Sequence, residues 1–190
     1  HRIARRQRQM CIRDSYCNCK RVYNCAGNDV YEGDIKVYTN PWTLPLDARE
    51  HLLEELHNST FPVRTGTHIE ERPGCVNFSI VGRGANQTER LVYSDWDEIK
   101  GERKAIADRF NEKFPELHAY VGGVTGVDIS TKGSDKSQII RDFMDGDVIF
   151  FGDRLDDYGN DKPLADAITN NNLGSVQPVT DWKDTWSKLK

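Results

Sequence analysis

Residues 147–161 read D-V-I-F-F-G-D-R-L-D-D-Y-G-N-D, and they constrain the fold more than any other stretch. Val148, Ile149, Phe150 and Phe151 form a continuous run of β-branched and aromatic residues, stopped by Gly152 and followed by Asp153, Asp156, Asp157 and Asp161. A strand without polar alternation suits a parallel sheet covered by helices on both faces. In such sheets ligands bind beyond the carboxyl ends of the strands, where Asp153 falls. Its carboxylate, with Asn160 and Asp161 behind it, offers hard oxygen donors suited to Mg²⁺. A solvated turn of Asp, Asn and Gly is the competing reading, and the spacing is not that of a Ca²⁺-binding helix-loop-helix loop.

The flanking text supports the same layer. Ser134 is a candidate cap for a helix running to about Met144 with Ile139, Ile140 and Phe143 inward, followed by the apolar strand, a helix over 163–168, a strand over 175–179 and a last helix carrying Trp182 and Trp186. Upstream, residues 21–24, 30–31 and 35–38 are short β-rich runs, the last two joined through Gly33 as a hairpin. A helix over 47–57 follows, with Leu46, Leu52, Leu53 and Leu56 on one face. Strands are predicted over 67–71 and 76–81 about the turn Arg72-Pro73-Gly74. In the second, Val76, Phe78 and Ile80 alternate with Asn77 and Ser79, so one face is buried and the other polar. Leu91 to Tyr93 reads as a β-rich run, and Asp95-x-x-Glu98 as the cap of a helix over 97–114. Strands over 117–121 and 127–130 complete an α+β unit.

A chain of 190 residues with 37% hydrophobic and 29% charged residues can bury a core without disulfides or structural metal. The net charge of −4 leaves no general nucleic-acid footprint, and no apolar run reaches membrane-span length, so neither nucleic acid nor membrane is an expected partner. Five cysteines, Cys11, Cys17, Cys19, Cys25 and Cys75, are an odd number without zinc-site spacing, which points to a reduced, cytoplasmic setting. Residues 1–15 carry five arginines and no initiating methionine; residues 6–15, R-Q-R-Q-M-C-I-R-D-S, resemble translated linker sequence, and the segment is expected to be a non-native leader rather than a basic arm or transit peptide.

Two groups of residues could carry chemistry. Lys136 falls in the first turn of its predicted helix, where the dipole disfavours a cation, so a nearby anion is expected; with Asp153 it could face one phosphate. Arg72, Arg83 and Arg90 could converge as a phosphate clamp, since guanidinium groups bind phosphate through paired, directional hydrogen bonds. Pairing with Glu70, Glu71 and Glu89 is the alternative.

The segments R-P-G-C-V-N-F-S-I-V-G-R-G-A-N-Q-T-E-R over 72–90, G-G-V-T-G-V-D over 122–128, G-S-D-K over 133–136 and F-F-G-D-R-L-D-D-Y-G-N-D over 150–161 together resemble the eukaryotic phosphomannomutases, of the haloacid dehalogenase superfamily. The resemblance implies an α/β fold: a partial Rossmann-like core in three α/β/α layers with an inserted α+β cap. Residues 16–33 would be a remnant of the N-terminal core, 34–131 the cap and 132–190 the C-terminal part of the core. It further implies a Mg²⁺-dependent enzyme that interconverts mannose 6-phosphate and mannose 1-phosphate for GDP-mannose synthesis through a hexose bisphosphate, as a homodimer joined by the cap.

Carried over by motif, Arg72, Arg83 and Arg90 would hold the distal phosphate and Asp128 the sugar hydroxyls. Gly126 takes the place of a serine usual in the family. Lys136 and Asn160 would serve catalysis, and Asp153 and Asp161 the metal. The family's Asp-x-Asp-x-Thr motif, which supplies nucleophile and general acid, does not occur in the 190 residues, so the chain is expected to be an N-terminally truncated fragment, inactive alone. A sugar-phosphate phosphatase and a non-catalytic sugar-phosphate-binding module are the alternatives.

Overall fold

The computed structural model describes residues 19–143 and 146–189. The expected leader, Cys11, Cys17 and Met144 lie outside them. The first described elements are an antiparallel meander of β1 (Val22–Asn24), β2 (Asp29–Glu32) and β3 (Ile35–Thr39). The turn between β1 and β2 is a single 3₁₀ turn, Cys25–Gly27, in which all three residues take positive φ. As predicted, Gly33 makes the tight β2–β3 connection, with φ 59°.

The predicted α+β unit follows. Helix α1 (Leu46–Asn58) buries Ala48 and Leu52, and Glu55 reaches across to accept from Arg109 Nε and Nη2 at 2.7 and 2.6 Å. Strands β4 (Ile69–Arg72), β5 (Cys75–Phe78), β6 (Leu117–Gly122) and β7 (Gly126–Thr131) form an antiparallel sheet in the order β4-β5-β7-β6. One contiguous core runs from Leu44 to Ile129, with Leu52, Phe78, Tyr93, Ile106 and Phe110 fully enclosed.

The helix predicted over 97–114 is two helices, and the β-rich run of Leu91 to Tyr93 lies inside the first: α2 (Gln87–Lys100) and α3 (Glu102–Lys113). Asn86 starts α2 with a full capping box, its side chain accepting from Glu89 N while Glu89 accepts from Asn86 N. That pairing satisfies two otherwise orphaned amides a whole turn before Leu91, so the helix begins there and not at Asp95. Gly101, at φ 65°, ends it. Asp97 then clasps the start of α3, accepting from Arg103 N at 2.8 Å and from Arg103 Nε at 2.6 Å.

After Gly133 the expected helix is a 3₁₀ segment, Lys136–Phe143. Asp135 caps it by accepting from Ser137 N, while the Ser134 hydroxyl is engaged with that of Thr131. Strands β8 (Val148–Gly152) and β9 (Gly174–Pro178) pair in parallel, joined by α4 (Lys162–Asn170), and α5 (Trp182–Lys188) closes the described chain. The order is that of a βαβ unit. The apolar strand, expected to be buried on both faces, is half-buried: among the described strands β8 pairs only with β9, and Ile149 is 63% exposed. No helix of the described residues is long and apolar enough to cross a membrane.

Candidate active site

The four-stranded sheet has one apolar face, packed on the helices, and one polar face. Register explains the polar one. Glu70 on β4 pairs with Asn77 on β5, Asn77 with Asp128 on β7, and Asp128 with Tyr120 on β6. Two residues along, Arg72, Cys75, Ser130 and His118 form a second cross-strand row. Because side chains alternate along a strand, both rows project from the same face. The polar half of the alternation in residues 76–80 thus becomes the floor of a site.

Two clefts share that floor. One, of about 390 Å³, is lined by Arg72, Arg83, Arg90, Gly126 and Asp128 together with Gln87 and the β6–β7 turn. Every residue expected to bind the sugar phosphate therefore lies around a single opening. The other, of about 200 Å³, is lined by Lys136, Asn160, Tyr120, Asp135 and Cys25, and again by Arg72 and Asp128. Arg72 and Asp128 are the shared wall.

The arginines are held in different ways. Glu70 ion-pairs with Arg72 and lies 2.9 Å from Arg83 Nε. Arg90 donates to the carbonyls of Ala85 and Arg83 at 3.0 Å each, which fixes its guanidinium at the start of α2. Of the alternative partners, Glu71 pairs with Arg49 and Glu89 belongs to the capping box; Glu70 alone enters the clamp. Burial pushes the Glu70 carboxyl up, but Arg72 and Arg83 outweigh it and hold the group below the ordinary carboxylate range.

Asp128 joins the four-stranded sheet to the loop after β8. Its Oδ1 accepts from Asn77 Nδ2 at 2.7 Å and its Oδ2 from Asn160 Nδ2 at 3.2 Å. Two glycines make room for this. A Cβ on Gly122 would lie 2.1 Å from Asp128 Oδ2, and one on Gly126 would lie 2.4 Å from Asn77 Nδ2. Gly126, where the resemblance implied a serine, is thus what lets Asn77 lie over β7 and reach Asp128.

Lys136 finds its anion in Asp161 rather than Asp153. The ammonium pairs with Asp161 Oδ1 and lies 3.4 Å from Asn160 Oδ1. Asp161 Oδ2 accepts from the backbone N–H of Asp153 and Arg154 at 3.0 and 3.2 Å. Burial raises the Asp161 carboxyl, but Lys136 and the two amides prevail and leave it below its ordinary value. Both oxygens of this buried carboxylate are thereby used in shaping the loop after β8. Asp153 is exposed beside the same loop, in a hollow that also includes Lys136 and Phe150.

As donors for Mg²⁺ the two aspartates differ. No group of three or more His, Cys, Asp or Glu residues gathers at a metal-binding distance among the described residues. Mg²⁺ does not require one, since it keeps several waters and commonly takes one or two carboxylates plus phosphate oxygens. Asp153 fits that pattern, whereas Asp161 would have to give up Lys136 or the amides.

Asn77, Tyr120 and Asp135 were not singled out as site residues in the sequence. For Asn77 a signal was present: a polar residue on a strand whose other face is apolar. Tyr120 and Asp135 gave none, since their place depends on sheet register and on the 3₁₀ turn.

Comparison with known proteins bears on this geometry at two levels. The fold resembles the IMP-nucleotidase of Plasmodium falciparum, in an N-terminally truncated, IMP-bound form (TM-score 0.54, 13% identity) and in an IMP-bound D172N mutant (TM-score 0.53, 13% identity). Each likeness covers 92% of this chain and 48% of the other, and shows a shared α/β fold. In sequence, the chain is 31% identical over 161 residues to a phosphomannomutase of Arabidopsis thaliana, covering 78% of this chain and 63% of that one. It is 33% identical over 110 residues to one of Glycine max (56% and 44%) and 34% identical over 122 residues to a probable phosphomannomutase of Caenorhabditis elegans (62% and 48%). The chain thus spans about half the length of the curated relatives it matches. The family model for eukaryotic phosphomannomutase matches residues 47–190, three-quarters of the chain, and the chain belongs to that family.

Proposed function

We propose that this chain provides the sugar-phosphate-binding surface of a phosphomannomutase, with the distal phosphate of a hexose phosphate in the arginine cleft and the reacting phosphate near Lys136. The observation that carries this reading is the pair of clefts sharing Arg72 and Asp128. A hexose bisphosphate has an anion at each end and hydroxyls between, and the site offers guanidinium groups at one end, an ammonium at the other and a carboxylate between. Arg72, Arg83 and Arg90 bind and orient; Asp128, held by Asn77 and Asn160, accepts from sugar hydroxyls. Lys136, released from Asp161 by an arriving phosphate, neutralises developing charge on it.

Asp153 would hold Mg²⁺ with water and phosphate oxygens, and the ion supplies charge stabilisation when bound. Asn160 orients Lys136 and Asp128 toward each other. In-line phosphoryl transfer needs a carboxylate nucleophile, and the 190 residues contain no Asp-x-Asp-x-Thr, so binding rather than turnover is expected of this chain alone. A cytoplasmic setting suits three cysteines that are free among the described residues. A homodimer through the cap would cover Leu91, Val92 and Ile99, which α2 leaves exposed.

Calorimetric titration with glucose 1,6-bisphosphate and with mannose 6-phosphate tests the reading. Binding should weaken about tenfold or more in Arg72→Ala and Arg83→Ala, as expected for loss of a charge-assisted hydrogen bond to phosphate. Equal affinity of the wild type and both variants would sink it.

A further inference from the structure

Cys25 and Cys75 meet across the smaller cleft, and nothing in the proposed chemistry uses them. Cys25 lies in the 3₁₀ turn between β1 and β2, and Cys75 is the first residue of β5, just after the β4–β5 turn. The two turns are in close contact: a Cβ on Gly74 would come within 2.5 Å of the Asn28 side chain. Both cysteines line the cleft with Arg72 and Lys136, and both thiols are free. The β1–β2 turn is itself fixed, because Asn28 Nδ2 donates to Cys25 O and Ser134 O at 2.9 Å and Gln138 Nε2 donates to Ala26 O at 2.7 Å. Proximity is therefore built into the fold rather than left to chance encounter.

We propose that Cys25 and Cys75 form a reversible disulfide that ties the β1–β2 turn to the β4–β5 turn across the mouth of the cleft, with a low-molecular-weight disulfide such as oxidised glutathione as oxidant. Cys25 attacks first. The neighbouring Cys75 and the Arg72 guanidinium draw the Cys25 thiol down to about 7 despite burial, which makes it the readier of the two to lose its proton. The neighbouring Cys25 and burial push the Cys75 thiol up, which keeps it a thiol until its neighbour has reacted.

The Cys25 thiolate displaces one glutathione thiolate and forms a mixed disulfide. Cys75 then loses its proton to water, attacks Cys25 Sγ and expels the second glutathione thiolate. Two protein thiols are oxidised by two electrons and one glutathione disulfide is reduced to two thiols. Since Arg72 and Cys75 bracket the same turn, the bond would also fix the arginine that both clefts share; that consequence rests on the sugar-phosphate reading, whereas formation of the bond does not.

The test is peptide mapping of the whole chain. Native protein is incubated with oxidised glutathione, alkylated and digested with trypsin, which should leave Cys25 in peptide 22–36 and Cys75 in peptide 65–83, cleavage at Arg72 being blocked by Pro73. The expected result is one disulfide-linked species joining these two peptides, separated by dithiothreitol, absent in Cys25→Ser and formed several-fold less in urea. An unchanged circular dichroism spectrum of Cys25→Ser would show that the variant is folded. Full alkylation of both peptides after oxidation, linkage instead to peptides carrying Cys11, Cys17 or Cys19, or equal yield in urea would each overturn the proposal.

Discussion

On the proposed reading, Glu70 holds the place a phosphate would take. It lies on the polar face of the sheet between Arg72 and Arg83, and both guanidinium groups keep it ionised against the effect of its partial burial. An incoming dianion must displace it, so Glu70 opposes binding while keeping the arginines aligned. Glu70→Gln removes the competing charge and should tighten binding of inorganic phosphate or a hexose bisphosphate about three- to tenfold at low salt, read by calorimetry. Weaker binding would mean that Glu70 is needed to place the arginines. Asp161 makes a second case at the same scale. Its folded-state carboxyl is depressed, so the stability it contributes is fully present above its unfolded value near 3.8 and is lost as pH falls through the lower folded value. Stability to urea should therefore fall as pH drops through and below about 3.8, and Asp161→Asn should flatten that dependence while lowering stability at neutral pH by about 1–3 kcal/mol. An unchanged slope would remove Asp161 as its source.

At the scale of elements, α2 tests whether a cap decides where a helix starts. Asn86→Ala removes the acceptor for Glu89 N and should cost about 0.5–2 kcal/mol, measured as a lower midpoint of thermal unfolding. A loss no greater than that of Asp95→Ala, at the start favoured by the sequence, would contradict the capping box. The misplacement has a physical origin. Leu91, Val92 and Tyr93 are β-rich as a triplet, and a short apolar run does not declare its period. Asn86 and Glu89 stand at capping-box spacing, but so do Asp95 and Glu98, and burial of Tyr93 within the contiguous core settles the competition. The arginines were legible because turns and strand ends, where a sheet presents ligands, are marked by Pro73-Gly74 and Gly82-x-Gly84. Lys136 was legible as a cation needing an anion, but not which one. Asp161 lies behind the loop and Asp153 in front of it, and only the backbone path after β8 distinguishes them. The run from Val148 to Phe151 declared apolar faces without declaring what covers them.

For the molecule as a whole, buried apolar mass is unevenly divided. The contiguous core runs from Leu44 to Ile129, whereas from residue 132 onward, among the described residues, only Leu164, Ala165, Ile168 and Leu173 are buried apolar side chains. At roughly 1.5–3 kcal/mol for each large side chain enclosed, the first region holds by far the larger share of the apolar stabilisation. What joins them is polar: the Val121 N–H to Tyr158 O bond at 2.9 Å, the Asp128–Asn160 bond and the stacking of Lys104 on Tyr158. Such a molecule should open in parts rather than all at once. Native-state hydrogen exchange should find amides of β8, β9 and α4 exchanging through openings well below the global free energy, with β5 and β7 protected to the highest level. A fragment of residues 40–131 should fold alone and unfold near the midpoint of the most protected amides of the full chain. Asp128→Asn, which weakens the tie to Asn160, should speed exchange in β8 more than in β7. Equal protection across all these strands, or a fragment without cooperative unfolding, would show that the polar seam couples the two regions as tightly as a shared core. Lys136 and the arginine clamp would then be held at fixed separation, with no freedom for the cleft between them to open.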